Sequence, residues 1–122
     1  MPSPVALAAL IREWSAELGF QKTGIADIDL STAEPRLTEW LRAGFHGDMD
    51  YMAKHGVKRT RPAELVPGTV RVIAARMNYL PADAAKSWDV IHDSERAFVS
   101  RYALGRDYHK VLRRRLQQLA AS

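Results

Sequence analysis

The segment VRVIAARMNYL, residues 70–80, constrains the fold more than any other part of the sequence. In an extended chain successive side chains point to opposite faces. The alternation here puts apolar side chains on both faces, Val70, Val72 and Ala74 on one and Ile73, Ala75 and Met77 on the other. A strand that is apolar on both faces is typical of the covered centre of an α/β sheet. We therefore predict an α/β fold with a mixed central sheet flanked by helices.

Helical and extended patterns surround this strand. Ser3 is a predicted N-cap, Pro4 stands at the first helical position, and Gly19 ends the helix that they begin. The other predicted elements are a strand over 20–28, a helix over 31–44, short helical turns within 47–56 and 61–69, a loop over 81–95, a strand or extended segment over 96–105, and a helix capped by Asp107.

Length and composition indicate one globular domain, residues 1–122. The chain contains no cysteine, so it cannot itself form a disulfide, a thiolate zinc site or a cysteine-ligated iron–sulfur cluster. Its four histidines show no metal-ligand spacing, and no metal ligand is predicted. Phosphate-loop, dinucleotide-binding and serine-nucleophile motifs are absent. The expected compartment is the cytoplasm.

Positive charge is concentrated in two stretches. The whole chain carries a net charge of +4. Six basic residues lie between Arg101 and Arg115 against the single acid Asp107, and a second basic stretch is KHGVKRTR, residues 54–61. Clustered positive charge indicates a polyanionic partner such as RNA. For a single arginine-rich helix taken by itself, a solvated helix face is the simpler interpretation, and both interpretations stay open.

Four stretches together are similar to one protein family. They are FHGDMDYM, KRTRPAELVPGTVRVIAARMNYLP, SRYALGRDYHKVLR, and the opening helix with the following GFQKTGIA. In this order and spacing they resemble the N-terminal part of epoxyqueuosine reductase. The resemblance implies an oxidoreductase of queuosine biosynthesis, which reduces the epoxide of epoxyqueuosine at the tRNA wobble position.

The resemblance also implies cofactors and partners. The family uses cobalamin and two [4Fe–4S] clusters, and its cobalamin-binding domain is akin to corrinoid reductive dehalogenases. The family's cysteine motifs and proton-donating aspartate have no counterpart in these 122 residues. We therefore expect an N-terminal cobalamin-binding domain with no catalytic residue of its own, inactive alone. The expected partner is tRNA, with no membrane association, and the expected state is a monomer.

The matching motifs carry over candidate site residues. The resemblance implies cobalamin contacts at Arg59 and Ser100, and further contacts at Arg101, Tyr102, Tyr108 and His109. The RNA contacts expected from the charge pattern are Arg113 and Arg114. Each residue also has a structural interpretation: an ion pair with a surface acid for Arg59, a hydrogen bond to a neighbouring strand for Ser100, and core packing for the tyrosines. Asp107 is interpreted as an N-cap, not as a proton donor.

A rival hypothesis is a small basic RNA-binding module without a cofactor. The two basic stretches favour it. The absence of any recognised RNA-binding motif, and the position of most aromatic residues on helical core stripes, count against it.

Overall fold

The computed structural model describes residues 1–122. It contains six α-helices, two strands and two short 3₁₀ turns. In chain order they are α1 (Pro4–Glu17), β1 (Lys22–Ala26), α2 (Glu34–Arg42), α3 (Tyr51–Lys54), a 3₁₀ turn (Gly56–Arg59), α4 (Pro62–Leu65), β2 (Val72–Arg76), α5 (Ser87–Ile91), a 3₁₀ turn (Arg101–Ala103) and α6 (Tyr108–Ala121). None of the helices combines the length and apolar character that crossing a membrane requires.

The first helix forms as its sequence predicts. The Ser3 hydroxyl accepts a hydrogen bond from the Ala6 N–H at 3.2 Å, and Pro4 is the first helical residue. These features satisfy or remove amide donors that have no partner inside the helix. After the helix, Gly19 adopts a φ of +89°, which only glycine reaches without strain. The chain reverses there and leads through buried Phe20 into β1.

The last helix also begins as predicted. The Asp107 carboxylate accepts the His109 N–H at 3.0 Å, which confirms Asp107 as the N-cap of α6. Val111, Leu112 and Leu119 on its apolar stripe are half-buried, whereas Arg113 and Arg114 are exposed. The helix packs against α1. Its two sides are therefore distinct, one turned to α1 and one to solvent.

The two strands pair in an antiparallel sheet. The N–H of Gln21, just before β1, donates to the carbonyl of Arg76 at the end of β2 at 2.9 Å. Helices combined with a sheet agree with the predicted α/β class. The prediction of a covered central strand was wrong, because the sheet has only two strands and Val72 and Ile73 remain 38% and 44% exposed. A mixed sheet needs at least three strands, and no third strand joins this one.

Two further expectations need correction. The segment 81–95, predicted as a loop, contains α5, whose Val90 is buried. The segment 96–105 is not a strand: it is irregular through Ser100 and then forms a 3₁₀ turn, in which the Ala103 N–H bonds to the Ser100 carbonyl. A backbone that closes bonds over three residues cannot at the same time pair with a neighbouring strand.

The chain divides into two compact units. The first unit contains Met1–Thr23 and Ala75–Ser122, and its buried side chains are Ser15, Phe20 and Val90. The second unit contains Gly24–Ala74, and Thr60 is its buried side chain. Both cores are small, so tight turns and local hydrogen bonds matter to each unit as much as apolar packing does.

Substitution of Gly19 by alanine is expected to destabilise the fold more than the same change at other glycines. A Cβ at Gly19 would lie 2.6 Å from Nη1 of Arg115, in addition to the strain of its positive φ. Gly44 has a φ of +73° with open space around it, so Gly44→Ala should show the strain alone, about 1–2 kcal/mol. Gly24 has neither constraint, and Gly24→Ala should be close to neutral. Urea unfolding followed by circular dichroism measures all three.

We expect the free energy of unfolding to be lowest for Gly19→Ala, higher for Gly44→Ala and highest for Gly24→Ala. Equal stabilities for the Gly19 and Gly44 variants would show that Arg115 moves aside freely and does not depend on the space above Gly19.

Candidate functional site

Arg59 closes the 3₁₀ turn Gly56–Arg59 in the second unit. Its Nη2 donates to the carbonyl of Tyr51, and its guanidinium carbon lies 5.9 Å from the Tyr51 ring centroid. No acid pairs with it; the neighbouring Arg61 forms the ion pair with Glu34, at 3.0 Å. The surface ion pair considered for Arg59 is therefore not formed. The side chain is held by one backbone acceptor and keeps other N–H donors for a ligand.

Ser100 and Arg101 lie at the start of the second 3₁₀ turn, in the first unit. Ser100 is exposed, its hydroxyl makes no capping hydrogen bond, and no strand lies beside it. Arg101 donates from Nη1 to the Ala85 carbonyl at 3.2 Å, and its guanidinium carbon lies 4.6 Å from the Phe98 ring centroid. Through these contacts Arg101 holds Ala85 and Phe98 close to the second 3₁₀ turn. The Ser100 hydroxyl, by contrast, is free for a ligand.

Three of the predicted contact residues form one cluster. The Tyr102 and Tyr108 rings meet edge to face, with centroids 5.8 Å apart and an angle of 84° between planes. The His109 ring stacks on Tyr108 at 4.0 Å. Tyr102 and Tyr108, with Met77, Tyr79 and Leu112, line an open cavity of about 420 Å³. The alternative interpretation of core packing does not hold for either tyrosine, because both are exposed at this cavity.

Asp107 holds the His109 end of this cluster. Its Oδ1 accepts the His109 N–H and lies 3.0 Å from His109 Nδ1. The hydrogen bond with the His109 side chain, then that with the His109 backbone, holds the pKa of the Asp107 carboxyl below its usual range. A carboxyl that is ionised this readily is suited to capping a helix and orienting an imidazole, and it is a poor proton donor.

The exposed side of α6 presents Arg113 and Arg114, neither of which forms an ion pair. A shallow groove along the helix is lined by Tyr108, Leu112 and Arg113 among others. The next arginine differs: Arg115 is half-buried and donates from Nη1 to Met77 Sδ at 2.9 Å. Of the three consecutive arginines 113–115, two are therefore directed to solvent and one is used in packing.

Sequence reasoning missed Tyr51 and Tyr79. Tyr51 supplies the carbonyl that holds Arg59, and Tyr79 forms one wall of the cavity. The only sequence signal for Tyr79 was its position three residues beyond the end of β2, near the carboxyl end of a strand, where ligands often bind. Tyr51 carried no signal, because a backbone carbonyl is available at every residue.

The predicted site residues fall into two groups. Ser100, Arg101, Tyr102, Tyr108 and His109 belong to the first unit, and Tyr108 contacts both Tyr102 and His109. Arg59 belongs to the second unit. The structure contains no group of three or more histidine, aspartate or glutamate side chains placed to hold a metal ion. Within its own unit, the Ser100 hydroxyl can donate to an amide oxygen, and the Arg59 N–H groups can donate to a phosphate or amide oxygen.

Removal of the His109 side chain is expected to raise the pKa of Asp107 towards its ordinary value. The hydrogen bond from that side chain is the largest cause of the lowered pKa, and the substitution removes it. A carboxyl with a lowered pKa in the folded state stabilises the fold above its unfolded pKa, and this stabilisation is lost as pH falls through the folded pKa. Carboxyl-carbon NMR titration of the wild type and His109→Ala measures the shift. His92→Ala is the control, since His92 contacts the Trp88 carbonyl and no carboxylate. An Asp107 pKa unchanged in His109→Ala would contradict this account.

Comparison with known proteins identifies close relatives. Residues 59–122, just over half of the chain, match the family described as "Epoxyqueuosine reductase QueG, DUF1730". A Pseudomonas aeruginosa protein named epoxyqueuosine reductase is 60% identical over 119 residues, which are 98% of this chain and 33% of that protein. Proteins of the same name from Vibrio cholerae and Escherichia coli are each 58% identical over 113 residues, 93% of this chain and 30% of theirs.

The chain thus spans about a third of the length of the curated relatives that it matches. No solved structure matches it significantly. Because the family pattern covers more than half of these residues, and the relatives are similar over nearly all of them, the chain belongs to the epoxyqueuosine reductase family.

Proposed function

We propose that this chain is the cobalamin-binding part of an epoxyqueuosine reductase, the oxidoreductase that converts epoxyqueuosine in tRNA to queuosine. The observation that carries the proposal is the 60% identity to a protein of that name over 98% of the chain. The activity is that of the whole protein, of which these residues match a third. We assign no catalytic residue to them.

Cobalamin is a broad ring system fringed with amides, with one phosphate in its nucleotide tail. It would supply the reducing chemistry at its cobalt when bound. We propose that Arg59 binds the phosphate or an amide oxygen, since its planar guanidinium can donate two parallel hydrogen bonds. Ser100 would donate its free hydroxyl to an amide. Arg101, Tyr102, Tyr108 and His109 complete the proposed contact set.

The two [4Fe–4S] clusters of the family need thiolate ligands, and this chain has no cysteine. We therefore place no cluster among these residues and derive no electron-transfer step through them. We also propose that this domain is akin to the cobalamin-binding fold of corrinoid reductive dehalogenases.

The proposed macromolecular partner is tRNA carrying epoxyqueuosine at the wobble position, bound by a monomeric protein in the cytoplasm. Support comes from α6, where Arg113 and Arg114 are exposed and free of acidic partners. The same observation supports the second candidate function, a basic RNA-binding module without a cofactor. Binding of cobalamin separates the two candidates.

Arg59→Ala is expected to weaken cobalamin binding about tenfold to hundredfold, the usual effect of losing a charged hydrogen bond to a ligand. The measurement is a titration of the chain with cobalamin, followed by the visible spectrum of the cofactor. A full-length relative carrying the matching substitution provides a parallel titration. Lys58→Ala is the matched control, because it removes an adjacent exposed cation from the same turn.

Stability of the cofactor-free protein should hardly change, since Arg59 is exposed and makes a single hydrogen bond. An unfolded Arg59→Ala variant with normal affinity per folded molecule would make Arg59 a structural residue. A wild-type chain and a full-length relative that both leave the cobalamin spectrum unchanged would refute the cofactor proposal and favour the RNA-binding module.

Replacing both Arg113 and Arg114 with glutamine is expected to weaken RNA binding and flatten its salt dependence. Each phosphate contact with a single strand contributes about −0.7 to the slope of log affinity against log salt. The control replaces Arg36 and Arg42 of α2 with glutamine, which removes the same charge from another exposed helix surface. Fluorescence anisotropy at several salt concentrations measures the slope. Equal slopes for the α6 pair and the wild type would return these arginines to the solvated-face interpretation.

A further inference from the structure

We propose that a cleft between α1 and the start of β1 binds a backbone phosphate of RNA. We call it the Arg12–Lys22 cleft; the rest of its lining is Ala16, Phe20, Gln21 and Thr23. All of these residues belong to the first unit. The inference rests on the proposed function only in taking RNA as the partner. It adds a phosphate site outside both basic stretches, in a part of the chain to which no contact has been assigned.

The Arg12–Lys22 cleft carries two positive charges and no negative one. Both cations are exposed, and neither forms an ion pair. Arg12 makes one long hydrogen bond, from Nη1 to the Ala8 carbonyl at 3.4 Å. The acids nearest to Arg12 in the sequence, Glu13 and Glu17, do not line the cleft. Cations that share a concave surface without acidic partners attract anions to it.

The donors of the Arg12–Lys22 cleft are those that phosphate oxygens accept. A guanidinium donates two parallel hydrogen bonds to a phosphate, and an ammonium brings three donors on a flexible stem. Half-buried Thr23 adds a hydroxyl. Buried Phe20 and Ala16 supply the apolar part of the lining, where hydrogen bonds to an anion compete with less water.

The turn that joins the two cationic elements is fixed before any ligand arrives. Gln21 donates from Nε2 to the Gly19 carbonyl at 3.1 Å, and its Oε1 accepts the Asn78 N–H at 2.6 Å. Its own N–H donates to the Arg76 carbonyl at 2.9 Å. A lining held by three hydrogen bonds loses little conformational entropy when a ligand binds, which favours binding.

The carbonyls at the end of α1 are already occupied. Unpaired carbonyls at a helix C-terminus carry partial negative charge and would oppose an anion. Here the carbonyls of residues 14–16 accept hydrogen bonds from the N–H groups of residues 18–20 in the Gly19 turn. The charges of Arg12 and Lys22 therefore decide which sign of ligand the cleft attracts.

A phosphate of a polymer fits this cleft better than a small phosphorylated molecule does. The volume, about 440 Å³, is that of a small-molecule site, but the cleft is open, whereas such sites enclose most of their ligand. A polymer is held by its other contacts as well, so each single contact can be weak. Arg113 and Arg114 lie in the same unit, on α6, which packs against α1. They offer the further contacts that an RNA strand requires.

The first experiment measures binding of a labelled single-stranded RNA of about ten nucleotides by fluorescence anisotropy at several salt concentrations. Replacing Arg12 and Lys22 together with glutamine should weaken binding about tenfold or more, the effect of losing charged hydrogen bonds. The slope of log affinity against log salt should flatten by about 0.7, the contribution of one phosphate contact. The control replaces Arg71 and Lys86 with glutamine. These cations are also exposed and unpaired but lie outside the cleft, and their loss should have a much smaller effect.

Two further variants separate charge from hydrogen bonding. Arg12→Lys combined with Lys22→Arg keeps both charges and should keep the salt slope of the wild type. Thr23→Val removes the hydroxyl and should weaken binding about twofold to tenfold with an unchanged slope. Circular dichroism checks that each variant is folded.

The second experiment uses inorganic phosphate as the probe and does not depend on RNA. In ¹⁵N NMR spectra of the wild type, the amide signals of Lys22 and Thr23 should move as phosphate is added. They should stay in place in the double glutamine variant. Should that variant fail to fold, Arg12→Gln alone is measured in both experiments and should give smaller changes in the same direction.

The outcomes separate this inference from the proposed function. RNA binding that depends on Arg113 and Arg114 but is the same in the wild type and in the cleft variants would overturn the inference and leave the proposed partner standing. A wild-type chain that binds no RNA would also overturn it, and amide shifts with phosphate would then assign the cleft to a small phosphorylated ligand. RNA binding that depends on Arg12 and Lys22, in a protein that binds no cobalamin, would support the inference and refute the cofactor proposal.

Discussion

The left-handed turn at Gly19 is the constraint on which the first unit depends. It ends α1 and directs Phe20 into the core before β1 begins. The missing side chain leaves room for the Arg115 guanidinium, which also reaches Met77 just beyond β2. A cation beside the C-terminal end of α1 is favoured by the partial negative charge of the helix carbonyls. Through one glycine and one arginine, α1, the end of β2 and α6 are held in a fixed relation.

That relation determines what α6 can offer a ligand. With Arg115 turned inward and Asp107 capping the first turn, Tyr108 and Leu112 face the cavity, while Arg113 and Arg114 face solvent. One 14-residue helix thus carries an aromatic wall, a basic side and a packing side.

The second unit contributes through local geometry and not through a large core. Thr60 is its buried side chain, and the ion pair between Arg61 and Glu34 joins α2 to the start of α4. Glu34 therefore pairs with Arg61 and not with Arg59, whose partner is the backbone carbonyl of Tyr51. The structure thereby distinguishes Arg59, which has no acidic partner, from Arg61, which forms an ion pair within the second unit.

The sequence by itself determined the local features, since each depends on residues close together in the chain. These include the Ser3 and Asp107 caps, the glycine that ends α1, the position of both strands, and the family, whose motifs are contiguous. Tertiary structure alone decided which apolar residues are covered. The segment around Val72 has the pattern of a central strand, yet it pairs only with β1, and Val72 and Ile73 remain 38% and 44% exposed. Tertiary contacts also bring Tyr79 to the same cavity as Tyr102 and Tyr108. They bury Arg115 against Met77 while the two preceding arginines stay exposed. Periodicity does not encode such contacts, because they join residues distant in sequence.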